Sequence, residues 1–277
     1  MMKRSLSALG VILVVVLIAG ICRGERMRQR ISSIRTQAST SADMEAEHRF
    51  GRNLAARILG NWALWDNPKA NHYLNLVGQA LALYAGNNGT RFSFGLLDSE
   101  EVNAFATPGG YIFLTRGAFQ MMRDEAQLAA VLGHEMAHVL QRHMVRELNL
   151  RPGGTSAVGG LAELIGGATH SMRASLERSM EQAADILFKK GYRLEDELEA
   201  DRVGLLLSVS AGYAPSGLAD YLQSIGLFEV APRSGQKDHP VLEERLAAIR
   251  HTLTINGMTG LSGARNKERF HDMASIH

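Results

Sequence analysis

The pentapeptide His134-Glu135-Met136-Ala137-His138 constrains the fold of this chain more than any other segment. Residues four apart lie on one face of an α-helix, so His134 and His138 could bind one zinc ion with bonds of about 2.0–2.1 Å. Glu135 lies one position round the helix, near such a metal but outside its ligand set. A carboxylate there can take a proton from a water molecule that the metal activates. The spacing therefore predicts a helix that carries two zinc ligands and a general base.

The residues around this motif are strongly apolar. Residues 128–132 read Leu-Ala-Ala-Val-Leu, and Met136, Ala137, Val139 and Leu140 follow within or after the motif. A helix that is apolar on nearly all sides is expected to be buried. Two imidazoles and a carboxylate in a buried helix are costly unless something compensates them, and a bound metal ion would do so.

The position of the third ligand distinguishes the types of zinc peptidase. A metzincin has glycine and histidine at the places where this chain has Gln141 and Met144, so that type is excluded. His143 is a tempting alternative, but on a continuous helix five residues beyond His138 it is rotated well away from the ligand face. We therefore expect that His143 does not bind the metal.

A better third ligand lies in the acidic segment 195–204, which runs into the apolar residues 203–207. Glu197 and Asp201 are four residues apart and share a helix face, whereas Glu199 points elsewhere and is expected to be solvated. Acidic residues in a first helical turn also favour the helix dipole, which is the simpler explanation of the segment. A ligand carboxylate followed by a carboxylate that orients a ligand histidine explains the shared face as well.

Several segments together resemble the HtpX and CAAX-prenyl-endopeptidase family of zinc metallopeptidases, in its soluble periplasmic branch. They occur in the family's order and span residues 42–249: these are residues 102–117, residues 125–143, residues 197–204, and Asp238-His239-Pro240 with Arg245. The resemblance implies one zinc ion per chain and assigns a role to each matching residue. The ligands would be His134, His138 and Glu197, with Glu135 as the base and Asp201 behind the ligands.

The resemblance also implies three further features of the site. Arg245 would lie near the cleft, either as a catalytic donor to the oxyanion or as the partner of an acid such as Asp201. Residues Asn103, Ala104 and Phe105, with Ala106, would form a strand edge that binds an extended substrate. An ordinary buried strand with Phe105 in the core is the equally weighted alternative.

The loop that contains His239 would lie across the mouth of the cleft. There His239 is a candidate fourth ligand or gate, because neutral imidazole is a common zinc partner. The simpler alternative is a solvated histidine beside Pro240, at the start of a helix over 241–249.

Composition limits the classes of protein to which this chain can belong. With 277 residues, of which 45% are hydrophobic, it can form one domain with appendages. A net charge of +2 and the lack of a basic patch studded with aromatic residues argue against a nucleic-acid partner. The single cysteine, Cys22, excludes both an intrachain disulfide and a thiolate zinc site.

The N-terminal segment has the pattern of an export signal or membrane anchor. Lys3 and Arg4 precede an uncharged apolar run that ends at Cys22. Cys22 is a candidate for lipidation, although Ile21 before it is larger than such signals prefer. We expect residues 1–24 to contact the membrane and residues 25–41 to form a tether. The rest of the chain would then lie on the periplasmic side of a bacterial envelope, although the arginines after the run leave the orientation open.

Periodicity predicts an α+β fold that is mainly helical. We expect helices over 43–59 and 68–84 and strands over 91–97 and 110–115, which gives a small antiparallel sheet beside the zinc helices. The resemblance adds a zincin core of the gluzincin kind. The domain boundaries predicted from sequence are a metallopeptidase domain over 42–253 and a polar C-terminal tail over 254–277.

Two classes of function remain from the sequence. The first is a zinc-dependent endopeptidase that cleaves unfolded, misfolded or misassembled envelope proteins, with an envelope assembly complex as a candidate partner. The second is an envelope chaperone or scaffold on the same fold, with a largely structural or latent zinc site. Glu135 favours the enzyme, because a purely structural zinc site needs no base.

Overall fold

The computed structural model describes residues 41–86, 89–149, 165–166, 170–228 and 242–274. The predicted membrane segment 1–24, nearly all of the predicted tether and His239 lie outside these residues. Among the helices of the described part, none is both long and apolar enough to cross a membrane.

The described residues are mainly helical. The predicted helices over 43–59 and 68–84 correspond to the first two α-helices of the described residues, and a π-helical turn, Ile186–Lys190, directly follows the helix His170–Asp185. The helices are α1 (Ser41–Asn61), α2 (Pro68–Ala82), α3 (Arg116–Met121), α4 (Glu125–Leu140), α5 (His143–Glu147), α6 (His170–Asp185), α7 (Leu194–Ser210), α8 (Gly217–Phe228), α9 (Leu242–Ile255) and α10 (Lys267–Ala274).

The sheet has three strands in the described part of the chain, β1 (Ser93–Leu97), β2 (Ala104–Thr107) and β3 (Tyr111–Thr115), in the order β1-β3-β2. The prediction of a purely antiparallel sheet was wrong. β2 and β3 are antiparallel, but β1 pairs with β3 in parallel. The chain reverses direction twice between β1 and β3, and β3 then inserts between the two earlier strands. The sheet is therefore mixed.

The main core joins α2, the sheet, α4 and α7. At the crossing of α4 and α7, Gly133 and Gly204 bring the two backbones into contact. A Cβ atom on Gly204 would lie 2.5 Å from the backbone nitrogen of His134, so a larger residue does not fit. This close approach places the acidic start of α7 against the histidine face of α4.

The segment after residue 253 is not a polar tail in the structure. Met258 and Phe270 are almost completely buried, at 2% and 1% exposure. Phe270 lies on α10 and packs near Tyr73 and Phe119. The sequence pattern was misleading because α10 buries one aromatic side chain among charged neighbours. Residues through α10 are therefore part of the folded domain.

Candidate metal centre

Three side chains from α4 and α7 converge on one point. Nε2 of His134 and Nε2 of His138 lie 3.0 Å apart. The carboxylate oxygens of Glu197 lie 3.5 Å from the first nitrogen and 3.6 Å from the second. Zinc bonds of about 2.0–2.1 Å in tetrahedral geometry separate neighbouring ligand atoms by about 3.3 Å. The donor atoms of His134, His138 and Glu197 therefore have separations that would suit one zinc ion. That these three residues bind zinc stays a prediction.

Glu135 is buried beside this donor set. Burial raises the pKa of Glu135 to about 7; Glu197 nearby adds to the rise, whereas His134 and Arg245 act against it. A carboxyl group whose pKa lies near neutral pH can both accept and return a proton in that range. The role of Glu135 as the general base stays a prediction.

Asp201 lies behind the donor set, on the far side of His134. Its Oδ1 is 2.8 Å from Nδ1 of His134, and its side chain is 1% exposed. Arg245 donates to both carboxylate oxygens of Asp201, from Nε at 2.8 Å and from Nη2 at 2.6 Å. Burial raises the pKa of Asp201, but the hydrogen bonds and charge of Arg245 outweigh it and hold that pKa below its usual value. Asp201 is thus held by Arg245 in contact with His134, and its role in orienting that ring stays a prediction.

Arg245 also contacts Glu197, the predicted third ligand. Its Nη1 lies 3.2 Å from Oε2 of Glu197, in addition to the two hydrogen bonds to Asp201. Of the two roles open from sequence, these contacts fit that of a residue that organises the acidic side chains of the site. Its role as a donor to the oxyanion stays a prediction.

His138 is contacted by two further side chains, Tyr192 and His143, and neither contact was predicted from the sequence. The ring of Tyr192 stacks on the ring of His138, with centroids 4.2 Å apart and planes 19° apart. Nδ1 of His143 lies 2.7 Å from Nδ1 of His138. His143 is thus outside the donor set, as expected, but in direct contact with His138. Helix α4 ends at Leu140, and Arg142 then adopts a left-handed conformation (φ 56°) that redirects the chain.

A second group of potential ligands lies next to the first. His143, Asp196 and Glu199 have donor atoms within 4.8 Å of one another. Arg146 already forms ion pairs with both Asp196 and Glu199, the latter at 3.2 Å. The guanidinium of Arg146 therefore supplies the positive charge that balances these two carboxylates. The expectation that Glu199 is solvated was wrong, because its side chain is only 28% exposed and lies 3.2 Å from Nε2 of His143.

The predicted substrate-binding strand is an edge strand within the described residues, since β2 pairs only with β3. Phe105, however, is 2% exposed and packs between Trp62 and Phe188, as a core residue does. The side chain of Asn103 accepts a hydrogen bond from the backbone N–H of Ala104 at 2.9 Å. A small recess is lined in part by Ala106 and Thr107 of the strand and by His138 and Tyr192. Substrate binding along this edge stays a prediction.

Comparison with known proteins supports the resemblance noted from sequence. The model of peptidase family M48 matches residues 68–253. The beta-barrel assembly-enhancing protease of Escherichia coli (strain K12) is 27% identical over 221 residues, which cover 78% of this chain and 45% of that protein. This chain thus spans about half the length of such relatives.

Other relatives have a similar or higher identity over shorter regions. Metalloprotease LoiP of Escherichia coli (strain K12) is 31% identical over 180 residues, or 65% of this chain and 69% of LoiP. The mitochondrial metalloendopeptidase OMA1 of Schizosaccharomyces pombe is 30% identical over 148 residues, or 52% of this chain and 40% of that protein. The family match covers both helices of the metal centre and most of the described residues. The chain therefore belongs to peptidase family M48.

Proposed function

We propose that this chain is a zinc-dependent endopeptidase that cleaves misfolded or misassembled proteins of the cell envelope. One observation carries the proposal: His134, His138 and Glu197 present three donor atoms at zinc-binding separations, with Glu135 buried beside them. A purely structural zinc site is normally closed by four protein ligands. A three-ligand set leaves a position open for a reacting molecule.

The chemistry of the donors supports zinc rather than a harder cation. Two imidazole nitrogens and one carboxylate are common zinc ligands, whereas calcium and magnesium prefer oxygen ligands. When bound, the zinc ion would polarise the scissile carbonyl and lower the pKa of a water molecule. A carboxylate oxygen of Glu135 would take the proton of the attacking water and pass it to the leaving amine. Asp201 would hold His134 in position, and Arg245 would hold Asp201 and Glu197.

The class of substrate is inferred from the edge strand and the relatives. A free strand edge binds an extended peptide mainly through main-chain hydrogen bonds, which requires unfolded substrate but little sequence specificity. β2 is an edge strand of the sheet in the described residues, and it lines a recess together with His138. The name of the beta-barrel assembly-enhancing protease suggests an envelope role for this chain too. The apolar N-terminal segment is consistent with the periplasmic side of a membrane.

The test compares wild-type protein with Glu135→Gln in cleavage of casein, an unfolded substrate, with bound zinc measured in both preparations. Glutamine has nearly the same shape but cannot act as a base. We expect both proteins to bind one zinc ion per chain, and we expect the variant to cleave about 10²–10⁴-fold more slowly, the usual contribution of a general base. Zinc removal with a chelator should abolish wild-type cleavage, and added zinc should restore it.

Two results would argue against the proposal. Similar cleavage by Glu135→Gln and wild-type protein would show that Glu135 is not the base. A wild-type protein that binds one zinc ion per chain but cleaves no unfolded substrate would instead favour the chaperone or scaffold, with a latent site.

A further inference from the structure

We propose that His143 is a positioning residue, whose Nδ1 accepts a hydrogen bond from Nδ1 of the ligand His138 and thereby holds that ligand in the zinc-binding orientation. Glu199 and Arg146 would fix His143 in the required tautomer. The proposal rests on the proposed zinc site, and it assigns a role to a histidine that the spacing of the motif excluded as a ligand.

The positions of the ring protons follow from the contacts, taken one after another from the metal centre outwards. Nε2 of His138 faces the donor set and must be free of a proton to bind a metal, so the proton of the neutral ring is on Nδ1. That N–H points to Nδ1 of His143 at 2.7 Å, which must therefore be the acceptor. The proton of His143 is then on Nε2, which lies 3.2 Å from a carboxylate oxygen of Glu199. In this row of contacts from His138 through His143 to Glu199, each ring proton therefore has an acceptor.

The two metal-binding histidines consequently differ in the group that lies next to their Nδ1 atoms. His134 lies directly against the carboxylate of Asp201. His138 lies against a neutral imidazole, and the carboxylate of Glu199 is one ring further away, with Arg146 beside it. Groups behind a metal ligand both orient it and raise its basicity. An imidazole in this position orients His138 without placing another negative charge directly on it.

His143 has little freedom to turn away from His138. Its side chain is completely buried, at the first position of α5 and directly after the left-handed Arg142. Tyr192 stacks on His138 and lies 5.9 Å from His143 between ring centroids, which restricts both rings. A fixed acceptor at a fixed distance is what a positioning role requires.

A second metal ion at His143, Asp196 and Glu199 is the main competing explanation of the cluster. The ion pairs of Arg146 with both acids argue against it, because the guanidinium already supplies the positive charge. Because Nδ1 of His143 accepts the hydrogen bond from His138, the ring proton is on Nε2. Nε2 is the nitrogen that faces Asp196 and Glu199, so it is not free to bind a metal ion with them. We therefore expect one zinc ion per chain, not two.

The test measures zinc affinity in full-length protein by competition with a chelator. In His143→Leu the side chain keeps much of its volume but has no acceptor, whereas in His143→Asn the amide oxygen can take the place of Nδ1. We expect His143→Leu to bind zinc about 10–100-fold more weakly, the usual effect of losing a group behind a ligand. We expect His143→Asn to stay close to wild type. The matched control is His72→Leu, because His72 is exposed on α2.

Thermal unfolding of the zinc-free proteins separates positioning from packing. If His143 acts as proposed, the Leu and Asn variants unfold at similar temperatures without metal but differ in zinc affinity. Equal zinc affinity in wild type and His143→Leu, or equal losses in the Leu and Asn variants, would overturn the proposal. So would two zinc ions per wild-type chain.

Nitrogen-15 NMR of the histidine side chains in zinc-loaded wild-type protein tests the same point without any variant. We expect the proton of His138 on Nδ1 and that of His143 on Nε2, and a proton on Nδ1 of His143 would overturn the proposal. Failure of the zinc site itself would look different, because Glu197→Ala would then bind zinc as tightly as wild type.

Discussion

Glu197 and Glu199 are two residues apart on α7, yet their carboxylates have different neighbours. The oxygens of Glu197 lie 3.5 and 3.6 Å from the metal-facing nitrogens of His134 and His138. The carboxylate of Glu199 instead contacts His143 and Arg146. At the scale of single residues, the structure therefore places the predicted ligand Glu197 beside the two histidines and Glu199 beside the proposed positioning residue His143.

This difference predicts unequal zinc loss in two alanine variants. Glu197→Ala removes one of three ligands, so we expect purified protein to lose most of its zinc by elemental analysis. Glu199→Ala removes a group two contacts away from the metal, so we expect it to retain close to one zinc ion per chain. Equal loss of zinc in the two variants would mean that the wrong carboxylate has been assigned as the ligand.

The residues that sequence alone could identify are those that depend on regular helical spacing. His134, His138, Glu197 and Asp201 lie at intervals of four within two continuous helices, and the structure brings them together. The contact of His143 with His138 could not be found in this way, because it depends on where α4 ends and on the left-handed turn after it.

At the scale of elements, the site depends on how closely α4 and α7 cross. Gly133 and Gly204 let the backbones touch, which positions Glu197 and Asp201 against His134. The sequence showed both helices but not their crossing. Alternation likewise predicted two of the three strands, and the resemblance implied the third. Their pairing was not predicted correctly, because alternation along a strand carries little information about the direction of its neighbour.

The crossing predicts the effect of one added methyl group. In Gly204→Ala the Cβ atom would lie 2.5 Å from the backbone nitrogen of His134, where no flexible side chain can give way. We expect a loss of about 1–3 kcal/mol in the free energy of unfolding, the usual cost of overpacking, together with weaker zinc binding. Urea denaturation and chelator competition measure the two effects.

The matched control is Gly60→Ala, because a Cβ atom on Gly60 in α1 would have no neighbour within 4 Å. We expect this variant to be neutral or slightly more stable than wild type. If both alanine variants behave like wild type, the helices do not cross as closely as described.

At the scale of the whole molecule, the C-terminal segment is joined to the start of α4 through the buried Glu125. Asn266 donates to the Glu125 carboxylate at 2.9 Å and Arg269 at 2.7 Å, while Tyr213 from the α7–α8 connection donates at 2.8 Å. Tyr73 on α2 also donates to it. Four separate parts of the chain thus meet at one carboxylate, which explains why the segment is not a tail.

Glu125 predicts a pH dependence of stability with a definite sign. Burial raises the pKa of Glu125, but hydrogen bonds from Arg269, Tyr73 and Tyr213 outweigh it and hold that pKa below the usual 4.5. A carboxylate with a lowered pKa adds stability above its unfolded-state value, and this stability is lost as the pH falls through the folded-state value.

We therefore expect Glu125→Gln to lower the free energy of unfolding at pH 7 by about 1.5–3 kcal/mol, the range for a hydrogen bond to a charged group. The difference in free energy of unfolding between the variant and wild type should become smaller below a pH of about 4.5. Denaturant titrations between pH 3 and 7 measure it, with Glu268→Gln, an exposed acid on α10, as the control. A gap that stays constant or widens in acid would contradict the described contacts.

The central claim is that one zinc ion binds at His134, His138 and Glu197. Anomalous diffraction from crystals of zinc-loaded protein, recorded on both sides of the zinc absorption edge, tests it most directly. We expect a single anomalous peak within about 2.0–2.2 Å of Nε2 of both histidines and of a carboxylate oxygen of Glu197. A peak at His143, Asp196 and Glu199 instead, or no peak at the three proposed ligands, would contradict the account.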